Sequence, residues 1–268
     1  EIYDPIKLES VGIIAIYMKL LSNSVAILLF AVLSYYVFSL YKRSDEIVKN
    51  QIFDLFITLV FLIIAMIIGY IRPLNLLFVG HTGVKIDFLG PRYIDPISIA
   101  IGTVFLNMAF YFYYLFSREY TQSRSFKDKL ILILYILGNI FIIHPDNHYS
   151  NSYEPITFVK IGSRMFLFLG ILLPVILIII GGFQRIRKTA DPVMRGRIYL
   201  LVISNILILL VLILNVIEAL APLPYSSVVY IEYIFQLIGI IGIALSVLAP
   251  SWFVSFLKRI YEKRRIKK

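Results

Sequence analysis

Glu232 and Gln236 stand one helical turn apart in VVYIEYIFQLIGIIGIALSVLAP (228–250), a stretch that is otherwise almost wholly apolar. A charged residue at the centre of a membrane helix costs about 2.5–3.5 kcal/mol by insertion scales. Such a group therefore faces the bundle interior or a wet cavity and meets a partner there. Spacings of three and four extend the pair into a stripe of Glu232, Gln236, Gly239, Gly242 and Ser246. Small and polar residues in line form the face that meets other helices.

Other apolar runs carry similar groups: Thr103, Asn107, Tyr111 and Tyr114; Tyr135 and Asn139; Lys160 and Arg164; Ser204, Asn215 and Glu218. Glu232, Glu218, Lys160 and Arg164 all fall one or two turns from the outer ends of their runs. Lys19, Arg72 and Asp95 lie at the same level, whereas the inner half holds little beyond Asp54. Charge of both signs is thus gathered in the outer third. The expected outward-facing ligand pocket comprises Glu232, Gln236, Glu218, Asn215, Arg164, Lys160, Asn107 and Asn139. Arg164 or Lys160 is the expected partner of Glu232, with Lys19 next. The plainer reading is a set of ion pairs that fix helix packing; a conduction path is the third.

The elements that would position these groups are membrane helices. Of the 268 residues, 60% are hydrophobic and 16% charged, and mean hydropathy is +0.87. Soluble domains are about 45–50% apolar. A span needs about 20 mostly apolar residues, and seven runs qualify: 12–41, 52–72, 95–117, 129–144, 156–183, 197–221 and 226–249. The expected fold is an all-α integral membrane protein, a seven-helix bundle over 1–250 with a basic amphipathic tail over 251–268. Asp191 and Pro192 read as N-cap and first residue of the sixth helix. Pro96 behind Asp95 opens the third in the same way, and Pro174 should kink the fifth. The loop FVGHTGVKIDFLG (78–90) has the alternation and glycine turn of a small β-hairpin.

Lysine and arginine give the direction. Nineteen of the 26 lie in the loops after runs one, three and five and in the C-terminal tail, against four on the other side. The positive-inside rule places the N-terminus outside and the C-terminus in the cytoplasm, in a multi-pass cell-membrane protein. The net charge of +10 is therefore a topology signal and not a nucleic-acid footprint. The acidic EIYDPIKLES start has no basic n-region of a signal peptide, and the missing initial Met suggests a processed start. In the tail, Trp252, Phe253 and Phe256 are expected in the lipid surface, with Lys258 and Arg259 on anionic inner-leaflet headgroups.

Several chemistries are weighed and set aside. His144, Asp146 and His148 are weak metal candidates, because Pro145 prevents an i,i+4 helical pair. A Schiff-base retinal pigment would need a lysine within 228–249, and there is none. No HExxH, GxSxG, phosphate loop or intramembrane aspartate pair occurs, and cysteine is absent. No cofactor and no enzyme activity are expected.

The run FQRIRKTADPVMRGRIYLLVISNILILLVLILNVIE (183–218) resembles the fifth-to-sixth helix region of the seven-helix sensor modules at the N-terminus of many histidine kinases. The resemblance implies a membrane sensor with its N-terminus outside. In those proteins the seventh helix leads to a kinase; here the sequence ends at Lys268, so the output is expected from a cytoplasmic partner or a further domain. The layout is also similar to that of G-protein-coupled receptors, although the third helix ends SREY and the seventh LAPSW. The function expected is a receptor for an extracellular or lipidic ligand, with homo-oligomerisation open. A small-solute transporter or channel and a non-catalytic structural subunit are the alternatives.

The topology can be tested with single cysteines in this cysteine-free chain. Cysteine replacing Lys7 should react with an impermeant maleimide in intact cells, and cysteine replacing Arg187 should react only after permeabilisation.

Overall fold

The computed structural model describes residues 10–70, 84–86, 92–94, 97–121, 127–144, 149–150, 158–220 and 227–266. Its helices are α1 (Ser10–Arg43), α2 (Glu46–Gly69), α3 (Ile97–Thr121), α4 (Lys127–Ile143), α5 (Phe158–Lys188), α6 (Pro192–Leu220), α7 (Ser227–Leu248) and α8 (Ser251–Ile266). All seven predicted runs are helical, with ends shifted by a few residues. Among the described residues six helices are long and apolar enough to cross a membrane. The chain is therefore a helical multi-pass membrane protein. The seventh, α4, is apolar but has 17 residues, or about 25 Å against a hydrocarbon core of about 30 Å.

Three short strands, β1 (Val84–Ile86), β2 (Arg92–Ile94) and β3 (Tyr149–Ser150), form an antiparallel sheet in that order. The predicted hairpin exists, but its second strand lies beyond 78–90. Val84 pairs with Ile94, and Ile94 in turn with Tyr149. Two residues of β3 are too few to show alternation in sequence, so the third strand was not legible.

Helices α1, α2, α3, α5, α6 and α7 pack in that order as a ring that closes from α7 back to α1. Helix α4 sits outside the ring against α3 and α5, and α8 packs on α6. One core joins Ala26, Phe30, Leu33 and Val37 of α1 with Leu59 of α2 and Ile240 and Ala244 of α7. Another joins Ile171 and Val175 of α5 with Leu212 of α6, flanked by Phe110 and Tyr113 of α3. Between these halves, α2 and α3 interleave aromatics, with Phe61 5.6 Å from Phe105 and 5.7 Å from Phe112 between ring centroids. The outward faces carry Leu28, Tyr35, Ile133, Ile140, Ile180 and Ile238, all exposed. In water that surface would be untenable; in lipid it is at rest.

The α6–α7 seam is made by glycine. A Cβ on Gly239 would lie 3.1 Å from Ile208 Cδ1 and 3.3 Å from the Ser204 carbonyl oxygen, and one on Gly242 would collide with the Ser204 hydroxyl. Backbones approach this closely only where side chains are missing. Asp191 caps α6 as predicted, its carboxylate accepting from the Val193 and Met194 amides at 3.1 and 3.2 Å. Pro192 is the first residue of that helix. Pro96 and Asp95 lie outside the described residues.

The C-terminal end of α7 is held from α6. Arg197 donates Nε to the Ser246 carbonyl at 2.9 Å and Nη2 to the Val247 carbonyl at 3.1 Å. These are C-terminal carbonyls, where a cation is favoured. Ala249 then takes φ 41°, a left-handed turn that costs an L-residue about 1–2 kcal/mol.

The seam predicts a paired result. Gly242→Ala should destabilise the protein by about 1–3 kcal/mol through overpacking. Adding Ser204→Ala removes the obstructing hydroxyl and should recover much of that loss in thermal unfolding; equal melting temperatures for the single and double variants would refute the contact.

Candidate functional site

Polar side chains inside the bundle form two separate centres. The first lies where α4 meets α3 and α5, and it begins with Pro174. Proline has no N–H, so the carbonyl four residues earlier in α5, that of Gly170, loses its helical donor. Inside a bilayer no water replaces it. The Tyr135 hydroxyl of α4 donates to that oxygen at 2.6 Å. The approach needs Gly170 to be glycine, since a Cβ there would stand 3.1 Å from Tyr135 Cε1 and 3.1 Å from Asn107 Oδ1.

Asn107 of α3, fully buried, completes this centre. Its amide donates to the Tyr135 carbonyl at 3.2 Å and to Asn139 Oδ1 at 2.8 Å. Asn139 in turn directs its own amide at Met108 Sδ, 3.3 Å away. Among the described residues Asn107 Oδ1 has no conventional donor. Tyr111 packs edge-on against Tyr135 at 5.3 Å.

The second centre is the wall of α7. Ile231, Ile234, Ile238 and Ile241 are exposed and mark its lipid side. At 3.6 residues per turn, Gln236 falls opposite them, toward the bundle axis. Glu232, one turn above, is buried with 8% of its surface exposed, and Gln236 is half-buried. The predicted stripe is therefore an inward face, with Gly239, Gly242 and Ser246 buried along it.

Helices α1 and α7 run side by side, with Phe30 and Ile240 in one core. Ser22 of α1 and Glu232 of α7 each lie eight residues toward the N-terminus from these two residues. Ser22 and Asn23 are both buried, and among the described residues Ser22 Oγ has no hydrogen-bond partner. Sequence reasoning misses both. They sit in LLSNS (20–24), where three short polar residues in a row point in different directions and show no stripe.

Five of the eight residues of the expected pocket have described side chains, and they fall on four helices. Asn107 and Asn139 belong to the α3–α4–α5 centre, while Glu232 and Gln236 line α7, which packs on α1 and α6. Arg164 is exposed on α5, and α6 stands between α5 and α7 in the ring. It is not the partner of Glu232. Its sequence depth matched, but its direction did not. The side chains of Lys160, Asn215, Glu218 and Lys19 lie outside the described residues. So do Asp146 and His148, while His144 is exposed at the end of α4. Among the described residues no three metal-ligating side chains cluster.

A third buried polar contact also escapes the sequence. The Tyr113 hydroxyl of α3 donates to Asn205 Oδ1 of α6 at 3.0 Å, and the Asn205 amide returns to the Leu201 carbonyl at 2.9 Å. Asn205 follows Ser204 in an Ile/Leu run and has no polar residue three or four positions away, so no periodicity announces it. In α8, Trp252, Phe256, Lys258 and Arg259 are exposed, whereas Phe253, expected in the lipid surface with Trp252 and Phe256, is buried with Leu257 against protein.

No family model, no curated protein and no solved structure matches this chain. The geometry must stand alone. Amides, phenols and one carboxylate held inside helices can bind and orient a polar ligand or lock helices together.

The first centre makes a sharp prediction. Tyr135→Phe leaves the Gly170 carbonyl unpaired and should cost about 1–2 kcal/mol in unfolding, the upper range for membrane hydrogen bonds. In a Pro174→Ala background the helix supplies its own donor, and the same substitution should cost much less. Equal costs in both backgrounds would show that the phenol does not serve the proline.

Proposed function

We propose that this chain is a seven-helix membrane sensor, with its N-terminus outside, that binds a polar ligand on the wall of α7 and signals through a separate cytoplasmic partner. The observation that carries the reading is Glu232. It is a carboxylate buried at 8% exposure, near the outer end of α7, on the side that turns inward, above a Gln236 that stays partly accessible. A group so placed has a desolvation cost that a merely structural helix avoids by using an apolar residue.

Seven crossings are supported by the sheet. Strand β2 precedes α3, β3 follows α4, and the two pair. The start of α3 and the end of α4 then share one side, so α4 returns the chain across the layer despite its length. The orientation is supported by the basic residues, nineteen of 26 on one side. Some of them have local work at that end: Lys42 lies over the Phe38 ring at 4.6 Å and Lys49 over Tyr41 at 5.2 Å. Placement in the cell membrane follows from the same bias.

A sensor must couple its outer wall to its inner surface. The α6–α7 pair offers the link, with Glu232 at one end, the glycine seam along its length and Arg197 clamping the other.

The test uses spin labels on cysteines replacing Arg187 and Lys258, both exposed on the inner side. With the protein in nanodiscs, outer pH, salt and a panel of amines, amino acids and polar lipids are varied. The expected result is a distance change for some condition that Glu232→Gln abolishes while the melting temperature holds. If no condition moves the labels and Glu232→Gln only lowers the melting temperature, Glu232 is a structural clasp. Solute uptake by proteoliposomes that the substitution abolishes would establish a transporter instead.

A further inference from the structure

Helix α8 does not continue the axis of α7. Arg197 of α6 is level with the Ser246 and Val247 carbonyls, to which it is bonded. Its neighbour Gly196 meets Leu257: a Cβ on Gly196 would lie 3.1 Å from Leu257 Cδ2. Leu257 comes ten residues after Val247, which is about 15 Å of straight helix. Helix α6 starts at Pro192, five residues before Arg197, or about 7 Å. A straight continuation would carry Leu257 well past the end of α6. It is found beside Gly196 instead, so α8 has turned sideways, across the base of the bundle.

The turn is built into the backbone. Ala249 takes the left-handed conformation with φ 41°. Pro250 follows, and its carbonyl accepts from the Phe253 and Val254 amides at 2.9 and 3.0 Å, starting α8. Phe253 and Leu257, at 7% and 9% exposure, anchor the helix on α6.

The remaining face of α8 is unusual for a polar helix. Trp252 and Phe256 are 61% and 54% exposed, one turn apart. Arg259 follows on the same line at the next turn, and Lys258 flanks it, both exposed. The last eleven residues of the sequence contain seven Lys and Arg and one Glu. Large aromatics lined with cations, on a helix lying across the end of a membrane bundle, match the headgroup layer, where tryptophan is enriched and basic side chains meet phosphate. Arg195 and Arg197 at this end are already bonded to carbonyls of Thr189, Ser246 and Val247. Lys258 and Arg259 have no such carbonyl bonds among the described residues. The strong positive charge argues for an anionic bilayer over a second copy of the same basic chain.

We propose that α8 docks on anionic phospholipid in the leaflet at the basic end of the bundle, with Trp252 and Phe256 inserted among the headgroups and Lys258 and Arg259 on their phosphates. The proposal depends on the turn at Ala249 and holds whatever α7 senses.

Trp252 is the sole tryptophan of the sequence, so the fluorescence of the full chain reports on α8 alone. The protein is reconstituted in nanodiscs of phosphatidylcholine, or of phosphatidylcholine with phosphatidylglycerol, with and without lipids brominated near the ester end of the acyl chain. The expected result is a blue shift, quenching by bromine and protection from aqueous acrylamide, all stronger with phosphatidylglycerol and weakened by salt. Lys258→Gln with Arg259→Gln, both at exposed positions, should shift the docked-to-undocked ratio about thirtyfold, from roughly fivefold per basic residue, with helix content unchanged. Free acrylamide access in both lipids overturns the proposal. So does bromine quenching indifferent to phosphatidylglycerol and to the double variant, which would mean aromatic insertion without charge recognition. Protection from both quenchers that rises with protein concentration also overturns it, in favour of contact between copies.

Discussion

The carbonyl of Gly170 has nowhere to turn but to another helix. Pro174 removes its partner within α5, and the bilayer offers no water. The packing of α4 on α3 and α5 is arranged around that one oxygen. Tyr135 must come within 2.6 Å, so α4 must dock on α5 at this height. Position 170 must be glycine, because a side chain there would meet both Tyr135 and Asn107. Asn107 and Asn139 then bind α4 to α3 in a fixed register. Without these bonds α4 would be a short helix with Leu130, Ile133, Ile136 and Ile140 exposed to lipid and little to tell it from its solvent. Hydrocarbon on hydrocarbon gives no driving force for packing in a membrane. Hydrogen bonds around a proline supply the specificity.

The same absence of a hydrophobic force explains what could be read from the sequence. Apolar length located every helix, because the bilayer selects it directly. The α7 stripe could be read because five small or polar residues recur at helical spacing, and the structure buries that face. Asp191 and Pro192 could be read because capping is a local matter. What failed was direction where the signal was a single residue. Arg164 has the depth of Glu232 but points outward on a helix that α6 separates from α7. Asn205 and Ser22 stand beside other polar residues without forming a helical stripe, and their burial depends on neighbours the sequence does not name. Phe253 failed for a related reason. An apolar residue in a membrane protein is equally at home against lipid or against protein, so a helical wheel finds the two apolar edges of α8 without saying which is which.

The ring itself is divided. One half is the α1–α2–α7 core and the other the α3–α5–α6 core, and two different seams join them. Between α6 and α7 the contact is glycine against serine and isoleucine, with backbones close and no room to repack. Between α2 and α3, Phe61 packs against Phe105 and Phe112, and Gly102 lets α3 come close to Ile68 and Ala65 of α2. Both seams hold the halves tightly. On the sensor reading, a ligand drawn to Glu232 acts on the half that contains α7, and the glycine seam of α6 and α7 carries the displacement to Arg197. From there it reaches α8, which is anchored on α6 by Phe253 and Leu257. If α8 is also held by the lipid surface, the leaflet becomes the fixed frame against which the bundle moves. The outer wall, the glycine seam and the basic helix then form one mechanical path, in which the headgroup layer resists.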